Sequence, residues 1–338
     1  MAGRGALLAY ALTALAAAPV SDEAMQEATA RLAREVAAAR RLRPGEPPER
    51  HLVTRDEAHA EAEGRVTAAL AGADIGIEER ILELLGVLPA ASDYARLLAG
   101  ATGGEPGASY DPGTKRLYVP DWIPLDRQRP ALAHELARAL ADRRFGLRRV
   151  LEIGPDGHHN LDRDAERARQ ALIDGDATTT ALEVLDPRGT FLGTRELPAT
   201  AERLRAAATA VDPDWNPWLR TLALFTQVDG FLFVARVRAR ESWAGVEALW
   251  AAPPASTEQV LHPEKYEAHE PPVHVAAGPL PGLEPALRAD GSDVVGELGV
   301  RAFLAKAVAP EVAARAAAGW GGDRAVVYVP AGDGGDVH

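Results

Sequence analysis

The chain contains no cysteine, and that absence removes three possibilities at once. Disulfides cannot staple the fold, no cysteine can carry a lipoprotein-type acyl group, and no thiolate can ligate a metal. Any metal site must therefore rest on histidines and carboxylates. Lysine is nearly absent, at Lys115, Lys265 and Lys306 only, while Ala, Arg and Gly abound. We read that bias as the mark of a G+C-rich coding sequence, not of function. Positive charge is also in deficit: Lys and Arg number 37 against 49 Asp and Glu, a net charge of −12. Arginines alternate with acids, as in Arg31, Glu35, Arg40 and Glu49. This argues against a nucleic-acid binder, which needs a concentrated basic face. No apolar run reaches the about 20 residues that span a bilayer. Phosphate loops, dinucleotide fingerprints and Gly-x-Ser-x-Gly elbows are missing as well.

What is present is a chain of 338 residues, 47% of them hydrophobic, enough for a sizeable core in one large domain or two ordinary ones. Arg4, the apolar run from Ala6 to Ala16 and the small residues Ala16, Ala17 and Ala18 form a secretory-signal pattern over residues 1–20. Export to the periplasm or the exterior is the expectation. A helical region over 21–100, a second region over 101–330 and a tail over 331–338 complete the expected layout.

Met25, Ala28, Leu32 and Val36 recur at helical spacing behind Asp22, and Pro44 closes that helix. Residues 44–50, with three prolines, read as a linker to a helix capped by Thr54. Asp111-Pro112-Gly113 forms a turn before a strand at Arg116–Val119. Pro130 is expected in the first turn of the next helix, where its missing N–H costs nothing. A further helix is expected over Arg163–Leu185. Residues 218–250 read as a buried helix followed by an amphipathic one. Pro253-Pro254 and Pro271-Pro272 bracket a rigid loop, and Gly319–Arg324 feeds a strand at Ala325–Val329.

The chemistry centres on residues 131–144. A zinc-protease helix carries two histidines four residues apart, with a glutamate after the first. The histidines hold the metal, and the glutamate takes a proton from its bound water. His134 and Glu135 stand in those positions, but Arg138 replaces the second histidine. A guanidinium has no lone pair to offer a metal. Beside Zn²⁺ it adds repulsion on the order of several kcal/mol at 4 Å and an effective dielectric near 20.

Several segments together resemble a group of bacterial gluzincin-like metallopeptidases. They are Tyr110-Asp111-Pro112 with Leu117-Tyr118-Val119, His134–Leu140, Asp174-Gly175-Asp176-Ala177, Pro253–Tyr266 and Gly319–Arg324. The resemblance implies an α+β, mainly helical fold of the zincin type, with a small sheet and a His-Glu helix. It also implies His134 and Asp174 as metal ligands and Glu135 as general base where a metal binds. In that family a glutamate stands where this chain has Asp174, one methylene shorter. Arg138, Tyr118, Glu258 and His262 are candidates for the cleft or for structural support. Arg138 and Asp174 are expected to form an ion pair, with Glu135 near the guanidinium, because a buried arginine needs a carboxylate. His158 and His159, among acids in a loop, read as solvated histidines, with a substitute metal site as the alternative. Trp215, Trp218, Trp243 and Trp250 read as core.

The sequence thus points to an exported zincin-fold protein that has lost zinc binding and peptidase activity, with a binding or structural role toward a peptide or protein. No cofactor is expected, and zinc only in an active form. Two alternatives stand beside it: an active zinc peptidase with an atypical ligand set, and a cell-envelope assembly component that uses the fold as a scaffold.

Overall fold

A computed structural model describes residues 22–70, 75–101, 107–210, 216–278 and 287–330. The signal expected over 1–20, the tail over 331–338 and Trp215 lie outside these residues. The first stretch holds α1 (Asp22–Arg40), β1 (Glu49–Val53), α2 (Arg55–Leu70), α3 (Ile75–Leu84) and α4 (Tyr94–Ala101). A capping box opens α2: Thr54 Oγ1 accepts from Glu57 N at 3.4 Å, and Glu57 Oε2 accepts from Thr54 N at 2.8 Å. The linker expected over 44–50 is a correction, because its end is already strand.

The central stretch holds β2 (Ser109–Asp111), β3 (Arg116–Pro120), α5 (Leu125–Phe145), α6 (Leu147–Val150) and α7 (Arg163–Leu185). β3 lies between β1, which runs parallel to it, and β2, which runs antiparallel. β1 therefore joins the first region to the second in one sheet. Leu117 and Val119 of β3 pack with Leu132 and Leu136 of α5. Tyr118 points to the other face, with Val53, Ala58 and Trp122, as the two-residue period of a strand requires. α5 starts earlier than expected, which puts Pro130 inside the helix and not at its first position. Gly146, at φ 74°, ends it.

Beyond α7 come α8 (Glu196–Ala210), α9 (Pro217–Leu224), a π-helical turn at Phe225–Asp229 and α10 (Gly230–Ala251), which is kinked at Ser242. α11 (Thr257–Leu261) and α12 (Pro263–Glu267) occupy the stretch expected as a rigid loop. The chain closes with β4 (Leu287–Asp293), α13 (Gly296–Leu304), α14 (Pro310–Ala317) and β5 (Ala325–Pro330), β4 and β5 pairing antiparallel. The described residues are thus mainly helical, with two small sheets. No described helix is long and apolar enough to cross a membrane.

α7 is the hub, with α1, α5, α10, α11 and the π-helical turn packed on it. Its cap is Asp162, whose side chain accepts from Ala165 N at 2.8 Å. Ala165, Ala168, Ala171, Gly175, Ala177 and Ala181 are all buried, and such small residues let helices approach on several sides. Trp218, Trp243 and Trp250 are buried.

Candidate functional site

α5 and α7 lie side by side, so His134, Glu135 and Arg138 from one helix meet Asp174 and Thr178 from the other. Arg138 Nη1 donates to Asp174 Oδ1 at 3.0 Å. Arg138 Nε stands 3.9 Å from Glu135 Oε2, beyond hydrogen-bond length, and this buried nitrogen has no acceptor. Glu135 Oε2 instead accepts the backbone N–H of Tyr110 at 2.8 Å. The carboxylate in the general-base position thus pins the β2 backbone to α5. His134 Nδ1 lies 3.4 Å from Thr178 Oγ1, and its Nε2 lies 4.0 Å from Glu135 Oε1.

The electrostatics follow from burial and charge. Burial, reinforced by the Arg138 charge and opposed by Asp174, pushes His134 down to about 4, so the imidazole is neutral at pH 7. Burial works against the Arg138 charge too, but Asp174, then Glu135, Asp142 and Tyr110 outweigh it and raise its pKa. Next along α5, Asp142 Oδ2 accepts from the Tyr110 hydroxyl at 2.7 Å and from Lys115 Nζ at 2.6 Å. Tyr110 therefore ties β2 to α5 at both its backbone and its hydroxyl.

Zinc does not fit this arrangement. The donors that face one another are one imidazole and one carboxylate, and the carboxylate is taken by a permanent cation. Among the described residues no three His, Asp or Glu side chains are placed to hold a metal ion. His159, in the loop before α7, has its Nδ1 3.0 Å from Glu166 Oε2, while His158 is exposed.

Other candidate residues lie elsewhere. Tyr118 is on the sheet face away from α5. Glu258 is buried and bonded to Lys265, and His262 Nε2 lies 2.9 Å from Glu297 Oε1. Both sit near the start of α7, where Thr257 N donates to Asp164 Oδ2 at 3.1 Å and its hydroxyl to Oδ1. Asp164 and Asp174 are about 15 Å apart along α7. The Gly319–Arg324 turn is likewise a lock: Asp323 accepts from Trp320 Nε1 at 2.7 Å, Val295 N at 2.8 Å and Gly296 N at 2.9 Å.

Asp164 gives this region a pH signature. Burial raises its carboxyl to about 7, against the Thr257 bonds and the Arg167 charge, which lower it. A carboxyl raised on folding contributes stability that is fully present below its unfolded pKa and is lost as pH rises through the folded value. Going from pH 7.5 to 5, the wild type is expected to gain about 2–3 kcal/mol from this group, at about 1.36 kcal/mol per unit. Denaturant unfolding at both pH values checks this. The gain should vanish in Asp164→Asn, and an equal gain in that variant would refute the assignment.

Sequence reasoning missed two networks. Glu78 accepts from Arg163 Nε at 2.7 Å, from Tyr94 OH at 2.9 Å and from Arg167. Asp176, two residues from Asp174, binds Arg40 through two oxygens. The Asp-Gly-Asp segment itself was the available signal, because a second acid on a buried helix needs a partner.

A domain of unknown function (DUF8575) matches residues 284–337. That stretch holds β4, α13, α14 and β5, and leaves out α5 and α7. No curated protein and no solved structure matches the chain.

Proposed function

We propose that this chain is an exported, zincin-like protein without zinc or peptidase activity, kept for a binding or structural role toward a peptide or protein. The observation that carries this reading is the 3.0 Å contact of Arg138 with Asp174. The guanidinium stands where a second imidazole would be needed, and it occupies the carboxylate that would be the third ligand. The 2.8 Å bond from Tyr110 N to Glu135 supports the same reading. A base engaged by a strand backbone is turned to holding the fold.

Elemental analysis of the full chain, purified without chelator, tests it. The expected result is no stoichiometric zinc. Arg138→His combined with Asp174→Glu should bind zinc clearly more tightly than the wild type or either single variant, which shows that these positions share a site. About one zinc per wild-type chain, lost on His134→Ala, would overturn the reading and restore the active-peptidase alternative.

A further inference from the structure

A recess of about 330 Å³ opens between α8 and α10, away from α5 and the candidate site. Leu197 and Ala201 of α8 and Leu232 of α10 form its floor, continuous with the apolar cluster around Phe191 and Phe231. One turn beyond Ala201 and Leu232, on the same helix faces, stand Arg205 and Arg236. Arg205 is paired with Glu202. Arg236 is exposed and makes no ion pair or hydrogen bond to any described residue.

The charged side chains that line the recess are Arg205 and Arg236 against Glu202, a local excess of positive charge in a chain of net charge −12. Asp229, at the end of the π-helical turn, lies within electrostatic reach of Arg301, Arg205 and Arg236, yet it makes no ion pair with them. Of the two arginines that line the recess, Arg205 is held by Glu202 and Arg236 has no ion pair among the described residues; Arg301, also without one, is not part of the lining. Apolar walls with a few convergent polar groups, at this volume, are what small-ligand sites consist of. An unpaired guanidinium at the rim selects a planar or tetrahedral anion.

We propose that this recess binds a small amphiphile with one anionic head, an alkyl carboxylate or alkyl phosphate, its chain on Leu197, Ala201 and Leu232 and its head on Arg236. The inference does not rest on the reading of the α5–α7 site. Free amphiphiles and membrane lipids both offer this chemistry, and the assignment is to the free molecule.

Isothermal titration of the full chain with octanoate and with octyl phosphate tests it, with octanol and octylamine as controls. Saturable binding of at least one anion is expected, with no binding of octylamine and much weaker binding of octanol. Arg236→Gln should weaken anion binding about tenfold. Its melting temperature should change little, because Arg236 makes no hydrogen bond or ion pair to any described residue. Leu232→Asp, with its folding checked by circular dichroism, should abolish binding. The proposal is overturned by absence of saturable anion binding, by equal binding of octanol, or by unchanged binding in Arg236→Gln. Sedimentation with phosphatidylcholine–phosphatidylglycerol vesicles, without binding of the monomeric anions, would assign the patch to a lipid surface and overturn it too.

Discussion

Replacing Asp176 with alanine is expected to destabilise the protein by about 3–5 kcal/mol, a large share of the 5–15 kcal/mol that holds a typical domain together. Asp176 and Arg40 are each about 3% exposed. Arg40 Nε donates to Asp176 Oδ1 at 2.9 Å and Nη2 to Oδ2 at 3.1 Å. Trp250 Nε1 donates to the same carboxylate at 2.6 Å. The guanidinium also lies 4.2 Å from the centre of the Trp243 ring, a cation–π contact. Removing the carboxylate leaves that cation buried without a counter-charge and the Trp250 N–H without an acceptor.

Asp174→Ala is the matched control, on the same helix and also paired with an arginine. Its pair with Arg138 is 18% and 24% exposed, so water relieves part of the loss, and about 1–2 kcal/mol is expected. Urea unfolding of both variants settles the comparison. Equal losses, or an Asp176→Ala variant within 1 kcal/mol of the wild type, would show that the buried pair does not anchor α1 to α7. Arg40→Met with Asp176→Leu should recover much of the loss, because apolar replacement of both charges removes the desolvation penalty.

These two acids show how far the sequence could be read. α7 was legible from end to end: the helix expected over Arg163–Leu185 is the helix observed. The Arg138–Asp174 pair was legible because a charge on a buried helix face demands its opposite nearby. The partner of Asp176 was not, since Arg40 lies 136 residues away in the sequence and nothing local points to it. The Glu135 contact was hidden for a different reason: it binds the Tyr110 backbone, which every residue possesses. β1 escaped notice behind three prolines and the charged run Glu49-Arg50-His51, and its pairing with β3 is a tertiary decision. β4 is mostly exposed and polar, so β5, not its own pattern, makes it a strand. Pro130 misled about the start of α5, because a proline early in a helix can be accommodated where tertiary packing holds the preceding turn.

Gly175, between the two acids, should be the second large determinant. Helix propensity alone favours alanine there by about 1 kcal/mol. Packing reverses the sign. A Cβ on Gly175 would lie 2.1 Å from the carbonyl oxygen of Gly230 and 2.5 Å from its carbonyl carbon. In the other direction, a Cβ on Gly230 would lie 2.3 Å from the carbonyl oxygen of Ala171. Real Cβ contacts essentially never fall below 3.0 Å, and the obstacle is backbone, which no rotamer change moves aside. α7 and the start of α10 would have to separate, opening the cluster that Leu172, Phe233 and Val234 fill. Gly175→Ala is therefore expected to lose about 3 kcal/mol. Gly64→Ala, in α2 with nothing within 4 Å of the added Cβ, should instead gain up to about 1 kcal/mol. Thermal unfolding of the two variants separates the explanations. If helix propensity governed both sites, both melting temperatures would rise; if the crossing governs Gly175, only that of Gly64→Ala does. The crossing also sets the distance from α7 to its neighbours, so the Gly175→Ala variant should weaken the Asp176–Arg40 pair. Adding Asp176→Ala to it should then cost less than in the wild type, a coupling that a double-mutant cycle reads directly.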